Sequence, residues 1–100
     1  MKRIVFTEEA NRDLAQAAAW FGEHSVIGTA GFVDLIHEAL EKIAHLPLAA
    51  PPWSYAPKYR ALTLKRLHYR IIYQVTDDAI RIAALIHTSR DPILWLDRLE

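Results

Sequence analysis

The chain has 100 residues, no cysteine and a formal net charge of zero, with 52% hydrophobic and 24% charged residues. This composition fits one folded domain over residues 1–100 and excludes an intrinsically disordered chain. Without cysteine there is no disulfide framework, no thiolate metal site and no cysteine nucleophile. No stretch reaches the ~18 apolar residues that span a bilayer, and the N-terminus does not read as a signal peptide, so we expect a cytoplasmic protein.

The first half of the sequence predicts one strand and two helices. Lys2–Phe6 is short and β-branched, which is typical of a strand. Thr7 offers a hydroxyl that caps a helix, and apolar residues then recur at helical spacing from Ala10 to Phe21. Three glycines in residues 22–31 predict a break. A second amphipathic helix is expected from about residue 30 to residue 46, where a proline follows.

The second half predicts strands. A proline-rich loop over Pro47–Lys58 precedes three stretches rich in Ile, Val, Tyr and Thr, which are Arg60–Leu64, His68–Thr76 and Ala79–His87. Short connections between them favour an antiparallel meander, and Asp91-Pro92 is typical of the start of a short terminal helix over residues 92–99. The predicted fold class is therefore α+β, in the order β-α-α-β-β-β, with a helical hairpin packed on a small antiparallel sheet and a short C-terminal helix.

Charge is divided unevenly along the chain. Residues 1–50 hold four Lys/Arg and seven Asp/Glu, whereas residues 51–100 hold eight and five. The stretch from Pro51 to Thr76 contains no acidic residue and five basic ones, Lys58, Arg60, Lys65, Arg66 and Arg70. The second half is therefore predicted to carry a positive surface even though the whole chain is neutral.

Strand alternation suggests where that surface lies. If Asp77 and Asp78 form a two-residue turn, the predicted pairs include Val75–Ile80, Gln74–Arg81, Tyr73–Ile82, Arg70–Leu85, Tyr69–Ile86 and His68–His87. Most tyrosines and isoleucines of both strands then point to the helices. The same register gathers four polar side chains on the other face, namely His68, Arg70, Arg81 and His87. Arginine binds phosphate or carboxylate and histidine transfers protons near neutral pH, but solvated side chains on a wet sheet face fit the pattern equally well.

Three segments together resemble the C-terminal half of RelE/ParE superfamily toxins. They are Tyr69–Val75, Ile80-Arg81-Ile82 and the run His87-Thr88-Ser89-Arg90-Asp91-Pro92. The opening strand, the alanine-rich first helix, the second helix ending in His45-Leu46-Pro47 and the placement of Arg60 extend the resemblance over nearly the whole chain. The resemblance implies the toxin of a type II toxin–antitoxin pair, which a cognate antitoxin neutralises in an oligomeric complex.

The superfamily contains two activities. RelE-like members cleave messenger RNA on the ribosome, and ParE-like members bind and poison DNA gyrase. Arg70 and Arg90 match the two arginines of the RelE pattern, but uncharged residues occupy its lysine positions and Trp95 replaces its terminal tyrosine. Because an indole only donates a hydrogen bond, Trp95 cannot act as acid or base.

The resemblance therefore favours the ParE-like branch, a plasmid-stabilisation toxin that arrests growth by inhibiting gyrase without catalysis of its own. Its predicted target-binding residues are Arg60, Arg70, Arg81, His87, Arg90 and Trp95. The first alternative is a ribosome-dependent endoribonuclease that uses Arg70 and Arg90 for the phosphate and His68 or His87 for proton transfer. The second alternative is a non-toxic interaction module or a degraded toxin. None of these hypotheses implies a metal or an organic cofactor.

Overall fold

Two helices lie on one face of a five-stranded sheet in the computed structural model, which describes residues 2–99. The elements in chain order are β1 (Arg3–Phe6), α1 (Glu8–His24), α2 (Gly28–His45), β2 (Pro52–Trp53), β3 (Ala56–Leu64), β4 (Tyr69–Val75), β5 (Ala79–His87) and a C-terminal 3₁₀ helix (Pro92–Leu99). The predicted α+β class is confirmed. Met1 and Glu100, the two ends of the predicted domain, lie outside the described residues.

A capping hydroxyl sets the start of the helical hairpin, and two glycines allow its turn and its close packing. The Thr7 hydroxyl accepts a hydrogen bond from the Ala10 amide, so the predicted cap of α1 is confirmed. Helix α1 continues through Gly22, and α2 begins at Gly28, whose φ of 67° is left-handed. Gly22 allows the helices to approach closely, because a Cβ there would lie 2.5 Å from Thr29 Oγ1.

The sheet has the order β1-β5-β4-β3-β2 and is mixed. The predicted antiparallel meander is formed by β3, β4 and β5, with Asp77 and Asp78 in the turn between the last two strands. Two features go beyond the prediction: β1 pairs in parallel with β5, and the proline-rich loop contains the two-residue strand β2. No helix among residues 2–99 is long and apolar enough to cross a membrane.

The main core lies between the helices and one face of the sheet, which we call the helix-covered face. Its sheet residues are Tyr69, Ile71, Tyr73, Ile80, Ile82 and Leu85. Phe21 and Phe32 pack on them from the helices, with their rings stacked and centroids 5.0 Å apart. Tyr73 is fully buried, and its hydroxyl donates a 2.6 Å hydrogen bond to the Pro47 carbonyl at the end of the hairpin.

Replacing Tyr73 by Phe should lower the free energy of unfolding by about 1 kcal/mol at neutral pH, because the hydrogen bond to Pro47 is lost. Burial raises the pKa of the Tyr73 hydroxyl above its ordinary value of 10.0, while Arg60 nearby lowers it. The unfolded chain therefore loses this proton first, and wild-type stability should fall as pH rises above 10.0. Urea denaturation at neutral and alkaline pH should show a shallower alkaline decline for Tyr73→Phe. The exposed Tyr55 provides the control. Tyr55→Phe should change neither the free energy of unfolding at neutral pH nor its decline at alkaline pH.

One extra residue in β5 changes which side chains share a face. Tyr73 pairs with Ile82, but Ile72 pairs with Ala84, so Ala83 has no partner on β4 and forms a β-bulge. The predicted pairs near the turn are confirmed, namely Val75–Ile80, Gln74–Arg81 and Tyr73–Ile82. The pairs predicted beyond the bulge are wrong: His87 pairs with Tyr69 instead of His68, Leu85 with Ile71, and Ile86 with Arg70.

The other side of the sheet, which we call the opposite face, carries a second core in place of the predicted open polar surface. Its sheet residues are Trp53, Tyr59, Ile72, Ala83, Ala84 and Ile86. The C-terminal 3₁₀ helix, confirmed over the predicted residues, packs on them through Trp95, Leu96 and Leu99. Tyr59 also donates a 2.8 Å hydrogen bond to the Leu99 carbonyl. The expectation failed because the bulge turns Ala84 and Ile86 to this side and the C-terminal helix covers them.

Candidate functional site

The structure divides the six predicted target-binding residues among different surroundings. Arg70 and Arg81 lie on the opposite face, paired with Ile86 and Gln74, whereas His87 lies on the helix-covered face beside Tyr69. The predicted single neighbourhood of His68, Arg70, Arg81 and His87 is therefore wrong. Arg60 is engaged inside the fold, since its guanidinium donates to the Ala50 carbonyl at 2.7 Å and to the Leu48 carbonyl at 3.3 Å. Arg60 thereby holds the proline-rich loop against β3.

A cleft of about 740 Å³ opens between α1 and the ends of β4 and β5. The side chains that line the cleft include five arginines and histidines and four aromatic residues. They are His24, Arg66, His68, His87 and Arg90, and Trp20, Phe21, Tyr69 and Trp95. The cleft thus combines His68, His87, Arg90 and Trp95, which the sequence proposed as site residues, with side chains of α1 that it did not. Among residues 2–99, Asp13 supplies the only carboxylate in the lining of the cleft.

The two predicted histidines do lie close together at this cleft. Their ring centroids are 6.4 Å apart, although they are not cross-strand partners. His68 has a left-handed φ of 59°, and its carbonyl accepts a hydrogen bond from the Thr88 amide. The Nδ1 atom of His87 accepts a 3.1 Å hydrogen bond from the Ser89 amide and lies 2.7 Å from the Ser89 hydroxyl. Because Nδ1 accepts, the proton of neutral His87 resides on Nε2, which remains free to donate.

Tyr69 lines the cleft beside His87. Its ring meets His87 edge-on at 5.1 Å. Burial raises the pKa of the Tyr69 hydroxyl above its ordinary value of 10.0; Arg90 opposes this effect and Asp13 adds to it. The Tyr69 hydroxyl is therefore protonated near neutral pH and can donate a hydrogen bond to a ligand.

Asp13 of α1 joins three elements at the edge of β5. Its carboxylate accepts hydrogen bonds from both terminal nitrogens of Arg98, at 2.6 and 3.1 Å, and from the Leu85 amide at 3.0 Å. The Asp13 side chain is only 8% exposed. Beyond Phe6 the strand β1 no longer covers this edge, and Asp13 satisfies an amide that would otherwise lack a partner. Neither Asp13 nor Arg98 was predicted as a site residue, because a single charged residue on a helix belongs to no recognisable sequence pattern.

Trp95 connects the C-terminal helix to the cleft. The Arg98 guanidinium lies 4.3 Å from the centre of its ring, a cation–π contact. The indole Nε1 atom is buried and has no hydrogen-bond partner among residues 2–99. A buried donor without a partner costs about 1–3 kcal/mol. This cost offsets part of the free energy that the apolar contacts of the C-terminal helix contribute.

A solved structure of the chromosomal ParDE toxin–antitoxin system from P. aeruginosa has a similar fold, with a TM-score of 0.65 and 22% sequence identity. The similarity covers 87% of this chain and 96% of that one. A comparison with curated protein sequences gave no match. The model of a family described as the ParE toxin of the type II toxin–antitoxin system parDE matches residues 4–92. This chain therefore belongs to the ParE toxin family, and the predicted resemblance is confirmed.

Proposed function

We propose that this toxin arrests growth by binding and inhibiting DNA gyrase, and that a cognate antitoxin neutralises it in the cytoplasm as part of a plasmid-stabilisation module. The observation that supports inhibition by binding is that the sheet separates Arg70 from Arg90, His68 and His87, so the two arginines of the RelE pattern do not lie in one place. The endoribonuclease alternative needs both arginines at the phosphate beside an acid–base pair, and only Arg90 lies with the two histidines. The strand partners of Arg70 are Thr63 and Ile86, and neither titrates. A binding inhibitor, in contrast, needs only a complementary surface.

The proposed gyrase-binding surface centres on Arg70, Arg81 and Arg90. Within residues 2–99 their guanidinium groups form no ion pair, so their charges are available to a partner. The other three predicted target-binding residues contribute less directly. Arg60 holds the proline-rich loop, His87 lines the cleft, and Trp95 packs the C-terminal helix on the second core. Arg90 precedes the C-terminal helix and Trp95 lies in it, and Ile93 and Leu94 of the same helix are exposed. Apolar side chains beside free arginines are typical of a protein-binding surface.

Charge also supports an antitoxin partner with an acidic segment. The residues of α1 and α2 include seven acids and two Lys/Arg, whereas those from Ala56 to His87 include two acids and six Lys/Arg. This polarity favours an acidic segment on the sheet side of the toxin. The ParDE system of P. aeruginosa is a structural relative that pairs toxin and antitoxin. We extend that pairing to this chain.

A supercoiling assay with purified gyrase tests the proposal. Micromolar toxin should inhibit supercoiling, and addition of the protein encoded beside the toxin gene should restore it. The variant Arg70→Ala/Arg81→Ala should need roughly tenfold more toxin for the same inhibition, because two free charges are lost from the interface. Arg3→Ala/Lys58→Ala removes the same charge from exposed positions outside this surface and should inhibit like wild type.

Two other results would contradict the gyrase proposal. Codon-positioned cuts in translated message, detected by primer extension and lost in Arg70→Ala, would favour the ribosome-dependent endoribonuclease. Normal growth when the chain is expressed without its antitoxin would favour a non-toxic module or a degraded toxin.

A further inference from the structure

The cleft between α1 and the ends of β4 and β5 combines free positive charge with exposed aromatic surface. Arg66 and Arg90 are exposed at its rim, and neither forms an ion pair or a side-chain hydrogen bond with other residues in the part of the chain that the structure describes. The Asp13 carboxylate, which lines the cleft, is already neutralised by the two hydrogen bonds from Arg98. The cleft is therefore positive in a protein whose formal net charge is zero.

Hydrogen-bond donors add to this charge on the inner side of the cleft. The Nε2–H of His87 is free because its Nδ1 accepts from Ser89, and the Tyr69 hydroxyl is protonated. The guanidinium of Arg90 is close enough to Tyr69 to lower its pKa against the effect of burial. Planar guanidinium groups beside hydroxyl and imidazole donors favour a phosphate group as the ligand.

The opposite wall supplies a stacking surface. Trp20 of α1 is 53% exposed although it lines the cleft, and its ring centroid lies 5.2 Å from those of Phe21 and His24. A large exposed indole beside cationic groups is suited to stack on a nucleobase, an interaction that contributes about 1–3 kcal/mol. The volume of about 740 Å³ accommodates a mononucleotide.

An extended acidic peptide fits this cleft less well. A peptide strand gains its affinity by adding to the free edge of a sheet. At the cleft the Leu85 amide on the exposed edge of β5 already donates to Asp13 and is not open to a peptide strand. The side chains that line the cleft include cations, histidines and aromatic rings, which suit a nucleoside phosphate.

From these observations we propose that the cleft binds a nucleoside phosphate, with the phosphate held by Arg66 and Arg90 and the base stacked on Trp20. The ligand is either a free mononucleotide or one unit of a single-stranded nucleic acid. This site lies across the sheet from Arg70 but shares Arg90, His87 and Trp95 with the proposed gyrase-binding surface. Nucleotide binding is measured without gyrase, so either proposal can fail while the other holds.

Binding is tested by isothermal titration of the full chain with AMP, ATP, adenosine, inorganic phosphate and an eight-nucleotide single-stranded RNA. AMP or ATP should bind at least roughly tenfold more tightly than adenosine or phosphate alone, because both parts of the ligand are recognised. Tight binding of the RNA without binding of AMP or ATP would also support the proposal and would identify nucleic acid as the source. No heat from any of these probes up to millimolar concentration would overturn it, as would equal binding of phosphate and AMP.

Matched variants separate a defined site from general charge attraction. Arg66→Ala/Arg90→Ala should weaken nucleotide binding by roughly tenfold or more, whereas Arg3→Ala/Lys58→Ala, with the same charge change outside the cleft, should bind like wild type. Trp20→Ala should weaken AMP by roughly tenfold and leave phosphate binding unchanged. Equal losses in the two double variants, or displacement of AMP by an oligoglutamate peptide, would contradict a nucleoside-phosphate site. Because Trp20, Arg66 and Arg90 are exposed, these variants should fold, which circular dichroism checks.

Discussion

Replacing Asp13 by Ala should lower the free energy of unfolding by about 3 kcal/mol. Two groups lose their partner at once: Arg98, whose side chain is 21% exposed, and the backbone amide of Leu85. For a domain of this size such a loss corresponds to a decrease of roughly 15 °C in Tm. Thermal unfolding followed by circular dichroism measures it directly.

Further variants separate what the Asp13–Arg98 ion pair and the hydrogen bond to the Leu85 amide each contribute to the free energy of unfolding. Asp13→Asn retains an acceptor for the Leu85 amide but loses the ion pair, so its destabilisation should be smaller than that of the alanine variant. A double-mutant cycle with Arg98→Met should show coupling between the two positions. Asp34 is an exposed acid on α2, and Asp34→Ala provides the control. If Asp13→Ala were as stable as Asp34→Ala, the proposed role of Asp13 in joining α1, β5 and the C-terminal helix would be wrong.

The elements of this fold were predictable because each has a local signal. Thr7 caps α1 through a hydroxyl three residues before the amide it binds, and the apolar spacing of α2 needs no tertiary information. The paired aspartates likewise fix the turn before β5. In contrast, the parallel pairing of β1 with β5 joins residues more than 70 positions apart, and nothing in either segment encodes it.

The candidate site was less predictable because it depends on the single unpaired residue Ala83. Alternation along β5 assigned correct faces up to Ile82 and incorrect pairs after it, since one extra residue exchanges the two faces of a strand. No feature of the Ala83-Ala84 sequence marks the bulge. Once it is present, Thr7 and Asp13 bond to the backbone groups that it frees at the edge. The arginines and histidines of the strands were identified from the sequence, but their grouping required the structure.

A charge on the buried side of the C-terminal helix should also destabilise the protein strongly, because one side of this helix is packed and the other is exposed. Leu96 packs on the second core, whereas Leu94 on the same helix is 70% exposed. Leu96→Asp places a carboxylate against the second core and should destabilise the fold by about 3 kcal/mol. The helix should then leave the opposite face, and hydrogen exchange at the amides of Trp95 to Leu99 should accelerate.

Leu94→Asp is the matched control, since it introduces the same charge two residues away and should change the free energy of unfolding by less than about 0.5 kcal/mol. The pair also separates folding from target binding. If the exposed side of this helix contacts gyrase, Leu94→Asp should weaken inhibition while its urea midpoint stays at the wild-type value. Equal stability of the two variants would mean that the C-terminal helix does not cover the opposite face in solution. Arg70 and Arg81 would then belong to a larger open surface, and the second core would itself be available to a partner.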